Sequence, residues 1–187
     1  EKELVFKYMK GFGSKNKIEK KKEKNFFEKD GLLNYALEMH QKGKISEAKG
    51  CYQKIIKRGN ADARVYTNLG VIFQTEKDYK TAMKLYKQSI NNFPQSHEAY
   101  SNLGLILLEM GRFELAESFL IKVISLKPDF LMSYQHLFNV YIRSNRPKKA
   151  EEILYKSLKI APNNPKVISN LGRFLLEKGN IDEARKY

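Results

Sequence analysis

The chain has 187 residues, 42% hydrophobic and 30% charged, with 35 Lys and Arg against 21 Asp and Glu for a formal charge of +14. That composition suits a soluble folded chain of about one domain and excludes collagen-like, wholly disordered and disulfide-scaffold classes. A lone cysteine, Cys51, makes neither an internal disulfide nor a multi-thiolate metal site, so a reducing cytoplasm is the simplest home. No stretch nears the ~18 apolar residues of a membrane span, and the N-terminus lacks the sections of a secretory signal.

Residues 1–28 read as a basic lead-in, partly disordered or helical. Between Ser14 and Lys29 there are seven Lys and three Glu, with few apolar residues beyond Ile18, Phe26 and Phe27. Phe26 and Phe27 are expected to dock on the first repeat unit, which begins at residue 29, and the lysines offer weak contact with an anionic surface. Met9 has the look of a natural beginning, and the stop at Tyr187, inside an expected helix, suggests a fragment.

From residue 29 a fixed period takes over. Ala48, Ala82, Ala116, Ala150 and Ala184 follow at steps of 34, as do Pro94, Pro128 and Pro162, and Leu69, Leu103, Leu137 and Leu171. Gly70, Gly104 and Gly172 stand after those leucines; Tyr66, Tyr100, Tyr134 and Ile168 come three positions before them. The units are 29–62, 63–96, 97–130, 131–164 and an incomplete 165–187. A fixed period of this length signals a stacked array. Within one unit, Tyr100, Leu103 and Leu107, then Ala116, Leu120, Val123 and Ile124, recur at three- and four-residue steps, which predicts two amphipathic helices. Gly43, Gly111, Asn145 and Gly179 fall between the helices, where a left-handed helix end suits them; Lys77 departs from that rule. Pro147 falls in the first turn of a second helix, where its missing N–H costs little.

Residues 97–130, HEAYSNLGLILLEMGRFELAESFLIKVISLKPDF, resemble the tetratricopeptide repeat. The resemblance implies an all-α, right-handed superhelical solenoid of antiparallel helix pairs with a concave groove. It also implies a module that binds proteins or peptides. The YSNLG and KPDF segments are similar to the repeat arm of protein O-GlcNAc transferases, in which an asparagine column holds substrate protein. Gly104 and Ala116 are expected to be small because helices approach closely there. Ala36 mildly replaces the glycine of the first unit. Phe138 puts a ring at that position, predicting a changed helix angle or a ring turned outward.

Catalysis is not expected within these residues. His40, His97 and His136 are scattered, with no ligand spacing, and Gly11 and Gly13 in KGFGSK lack the strand and further glycines of a phosphate loop. No metal or cofactor is therefore expected. The informative constellation is a column: Asn34, Asn68, Asn102 and Asn170 share one repeat position, with His136 in the missing place. By the family resemblance that position faces the groove. An amide offers a donor and an acceptor to the backbone of an extended peptide. Helical spacing groups this position with Glu98, Leu105 and Glu109 in the third unit.

The presumed groove is of mixed charge, with Arg64, Arg143, Lys166 and Arg173 set against Asp30, Glu98, Glu109 and Glu177. Lys80, Lys84, Lys87, Lys148, Lys149, Lys156 and Lys159 fall on second helices or their starts, facing outward. Specific nucleic-acid binding, which needs a basic groove with interleaved aromatics, is thus disfavoured. The leading expectation is a protein-interaction scaffold gripping a peptide or helix. The alternative is the substrate-holding arm of a longer glycosyltransferase, methyltransferase or sulfotransferase.

Overall fold

The computed structural model describes residues 31–187. The lead-in, with Met9, Gly11, Gly13, Phe26 and Phe27, and also Asp30, lie outside the described residues. The chain divides into two compact units, one ending at Ala61 and the other running from Asp62 to Tyr187. All regular structure among the described residues is helical.

In the first unit, helix α1 covers residues 31–41 and α2 covers Ile45–Lys57. Leu33, Ala36 and Met39 of α1 and Ala48, Tyr52 and Ile55 of α2 are buried, the apolar stripes the spacing predicts. Polar contacts tie the pair: the Tyr35 hydroxyl donates to Glu47 Oε2 at 2.9 Å, and His40 Nδ1 lies 3.4 Å from the Tyr52 hydroxyl. Cys51 is half-buried on α2.

The second unit is a stack of hairpins. Helices α3 (Ala63–Thr75) and α4 (Tyr79–Asn92) form one pair, α5 (His97–Glu109) and α6 (Phe113–Leu126) the next, and α7 (Leu131–Arg143) and α8 (Pro147–Ile160) a third. Helix α9 (Pro165–Glu177) packs with the short α10 (Ile181–Ala184). The first helices begin at Ala63, His97, Leu131 and Pro165, one period apart. Each second helix packs on its own first helix and on that of the following hairpin. The apolar stripe that one hairpin leaves uncovered is closed by its neighbour, so the core runs continuously from Ala82 and Tyr86 to Leu175 and Ala184.

Each hairpin turn is closed by the same pair of hydrogen bonds. In the α3–α4 turn, Lys77 N–H donates to Gln74 O at 3.0 Å and Asp78 N–H to Phe73 O at 2.9 Å. This is the Schellman arrangement, which needs a left-handed residue at its pivot. Gly43, Gly111 and Gly179 take that pivot with φ between 71° and 79°, Asn145 with φ 54°, and Lys77 with φ 63°. The lysine thus adopts the conformation of the glycines it replaces. Helix starts are capped where the sequence permits: Asp62, Asp78 and Asn164 accept from backbone N–H groups of α3, α4 and α9. Pro147 and Pro165 open α8 and α9.

At two of the repeat glycines the facing side chain leaves little room for a larger residue. A methyl group on Gly104 would meet Leu120 at 3.0 Å, and one on Gly70 would stand 2.4 Å from the Tyr86 ring. Phe138, at the equivalent position, is half-buried and sets its ring edge-to-face on Phe174 of α9, with centroids 5.8 Å apart. The ring is directed into the stack and not outward, because the apolar side of the next hairpin offers it a partner.

Glu117 ties the third and fourth repeats together. Its carboxylate on α6 accepts from the Tyr141 hydroxyl at 3.0 Å, Arg146 Nη1 at 2.5 Å and Lys149 Nζ at 3.0 Å. Burial opposes its ionisation, but the bonds from Arg146, Lys149 and Tyr141 outweigh that and hold the carboxyl below its ordinary range. One period on, Glu151 accepts from Lys178 at 2.6 Å. The corresponding position in the α3–α4 hairpin is Met83.

Candidate functional site

The first helices of the second unit form one side of the stack. Helix α3 touches α5, and α5 touches α7, whereas the second helices pack on first helices. Side chains of first helices that point away from their own second helices therefore share a surface. Asn68, Asn102 and Asn170 are half-buried on α3, α5 and α9, and His136 is half-buried at the same register on α7. Asn34, in the first unit, is exposed on α1.

Partial burial matters for His136. Desolvation pushes its pKa below the ordinary imidazole range, so the ring is neutral at pH 7. A neutral imidazole carries one donor and one acceptor, the same complement an asparagine amide presents. The histidine thus continues the hydrogen-bonding pattern of the column it interrupts.

Several of the charged residues flanking the column have side-chain partners. Arg143 Nη1 lies 3.5 Å from Glu109 Oε1, joining α7 to α5, and its guanidinium stands 5.8 Å from the Phe113 ring centroid. Arg64 donates to Asp62 from both Nε and Nη2, at 3.1 and 2.7 Å. Glu98 lies 3.2 Å from His97, whose ring is edge-on to Phe130. Arg173 Nη2 reaches Asn170 Oδ1 at 3.5 Å, at the limit of a hydrogen bond. Leu105 is half-buried against the core, and Glu177 is exposed.

Between α7 and α9 the side-by-side contact of first helices gives way to a cleft of about 290 Å³. It is lined by Gln135, Pro165, Lys166, Ser169 and Asn170. The repeat register and charge pattern point to Asn170 and Lys166 but not to Gln135 and Ser169. Those two stand one period apart, each one position before the column, and that shared position is the signal in the sequence that marks them. No acidic residue lines the cleft. Among the described residues, no group of three or more His, Cys, Asp or Glu is placed to hold a metal ion. No helix among them is long and apolar enough to cross a membrane.

Stacked helical hairpins closed by identical turns, with polar side chains in register along the first helices, define a helical-repeat scaffold. The tetratricopeptide repeat model matches residues 74–137 and 141–187, more than half of the sequence. The chain belongs to the tetratricopeptide repeat family, and its fold is the all-α solenoid expected of it. Among solved structures, one from the functional characterization of Pseudomonas aeruginosa pilF is 26% identical with a TM-score of 0.76. The match covers 85% of this chain and 72% of that one. MamA from Desulfovibrio magneticus RS-1 is 20% identical with a TM-score of 0.71, covering 84% and 89%. A further MamA crystal structure is 24% identical with a TM-score of 0.70, covering 85% and 87%. The MamA likenesses show the fold alone. No curated protein matches the sequence. Family and fold together are those of a scaffold that works by binding proteins or peptides.

Proposed function

We propose that the first-helix surface of residues 62–187 binds an extended segment or a helix of another protein through the column Asn68, Asn102, His136 and Asn170. The observation that carries this reading is the shared register and shared partial burial of these four groups. Half-buried amides hold fixed positions yet offer donors and acceptors to a ligand's backbone, Asn170 Oδ1 meeting only Arg173 at 3.5 Å, and neutral His136 does the same. Because Arg64 is paired with Asp62 and Arg143 with Glu109, part of the charge on this surface is already balanced and does not select a strongly charged ligand. Recognition then rests on main-chain hydrogen bonds, with Leu105 adding apolar contact.

The test begins with peptides selected from a random display library on the full chain. Affinity of the best binder is then compared with that for Asn68→Ala combined with Asn102→Ala. Two lost hydrogen bonds of ~0.5–1.5 kcal/mol each weaken binding by roughly 5- to 150-fold. Undiminished affinity in a variant of unchanged helicity overturns the reading. The same groove would serve as the substrate-holding arm of a longer enzyme, a use that the YSNLG and KPDF likeness to O-GlcNAc transferase arms favours. Reading the frame beyond Tyr187 for a catalytic domain tests that use.

A further inference from the structure

The second helices present a different chemistry from the first. Lys80, Lys84 and Lys87 follow at four- and three-residue steps on α4, forming one exposed stripe on a helix with no Asp or Glu at all. Lys148, at the start of α8, repeats the position of Lys80 two periods on, and it is exposed together with Lys122 on α6 and Lys156 and Lys159 on α8. Glu114 and Glu152 interrupt the stripe with negative charge, and Asp78 and Asp182 bound it at the start of α4 and on α10. None of these seven lysines is held in an ion pair among the described residues. The buried-side carboxylates are committed elsewhere: Glu117 to Arg146 and Lys149, and Glu151 to Lys178. Between α4 and α8, α6 also exposes Leu115 and Ile121, at 49% and 50% of their surface.

We infer that this outer face of residues 62–187 docks on an anionic lipid bilayer, with the lysines of α4 and α8 at the headgroups and Leu115 and Ile121 entering the interface between them. Three features select the bilayer over other polyanions. Every cation of the stripe is a lysine, a hydrated point charge on a flexible stem suited to diffuse charge, and not the forked guanidinium of phosphate or carboxylate recognition. The stripe offers no row of free aromatic rings for base stacking, and Tyr155, which lies on it, has its hydroxyl bound to Glu183. Exposed aliphatic side chains flanked by lysines form the amphipathic pattern of an interfacial surface. This face is distinct from the first-helix groove, so the two readings stand or fall separately.

The experiment is co-sedimentation of the full chain with phosphatidylcholine vesicles, with and without phosphatidylserine, at low and moderate salt. The expected result is binding that needs phosphatidylserine and weakens with salt. Each lysine at a charged surface contributes about a fivefold gain in partitioning, so the variant Lys80→Gln, Lys84→Gln, Lys87→Gln binds roughly a hundredfold less tightly. Ile121→Ser weakens binding further, a change a purely electrostatic contact would not show. These exposed substitutions leave the core intact, which helicity by circular dichroism checks. A parallel variant, Lys20→Gln, Lys21→Gln, Lys22→Gln, separates the lead-in: binding lost there and retained in the α4 variant overturns the proposal. Absence of sedimentation at low salt overturns it too, as does binding to duplex DNA or polyglutamate without binding to vesicles.

Discussion

The Tyr86 ring lies so close to Gly70 that a single added methyl group would stand 2.4 Å from ring carbon Cε1. The ring cannot withdraw easily: Tyr86 is fully buried and its hydroxyl donates to Gln74 Oε1 at 2.8 Å. Gly70→Ala is therefore expected to destabilise the chain by ~1–3 kcal/mol through overpacking. Gly172→Ala meets only ordinary contacts, Tyr187 Cβ at 3.6 Å, and should be neutral or stabilising by up to ~1 kcal/mol through helix propensity. Urea unfolding of the two variants would check the order; equal effects would refute the close approach.

Lys77 holds a left-handed backbone at φ 63° that its Cβ disfavours. Lys77→Gly relieves that cost and should raise stability by ~0.5–1 kcal/mol, even though glycine gains freedom in the unfolded chain. Lys77→Ala, with the same Cβ, should leave the thermal midpoint where it is. Gly111→Ala, the reverse change at the next turn, should lower it.

Glu117 predicts a pH limb. Its folded pKa is depressed, so the unfolded chain takes up a proton first as pH falls. The stability it supplies is complete above the unfolded value of about 4.3 and is lost as pH drops through the folded value. Glu117→Gln should cost ~1–3 kcal/mol at pH 7 by leaving Arg146 without its counter-charge, and should flatten the acid limb. Lys149→Met, at a half-exposed site, should cost less than ~1 kcal/mol. Chemical unfolding at several pH values separates these outcomes.

His136 predicts a second, milder limb. Burial lowers its folded pKa, so between that value and the unfolded value of 6.5 the unfolded chain binds more protons. Stability therefore falls as pH drops below about 6.5. His136→Asn, which restores the residue of the other repeats, should reduce that dependence. Thermal midpoints measured across this range in both proteins provide the check.

Helix positions were legible because stripe and punctuation repeat together: Ala116 and Leu103 are both fully buried, as their three- and four-residue spacing requires. Lys77 shows why reading turns by residue type falls short. The hydrogen bonds to Phe73 and Gln74 impose the left-handed pivot, and a lysine accepts it at modest cost. Phe138 could not be oriented from its own helix, because its partner Phe174 lies a full repeat away. The column was readable as a register, but its partial burial and the pairing of Glu109 with Arg143 depend on how α5 and α7 sit together. Gln135 and Ser169 became visible only once α7 and α9 were seen to part.

The carboxylate anchored on Glu117 gives the stack an uneven mechanical character. Pulled along its axis, the join between the third and fourth repeats must break three charge-assisted or hydroxyl bonds at one point. At the join before it, Met83 supplies only apolar contact at the equivalent place. Soft joins stretch and stiff ones transmit, so bending strain imposed by a long ligand would concentrate near Met83 and leave the hairpins around Glu117 moving as a block.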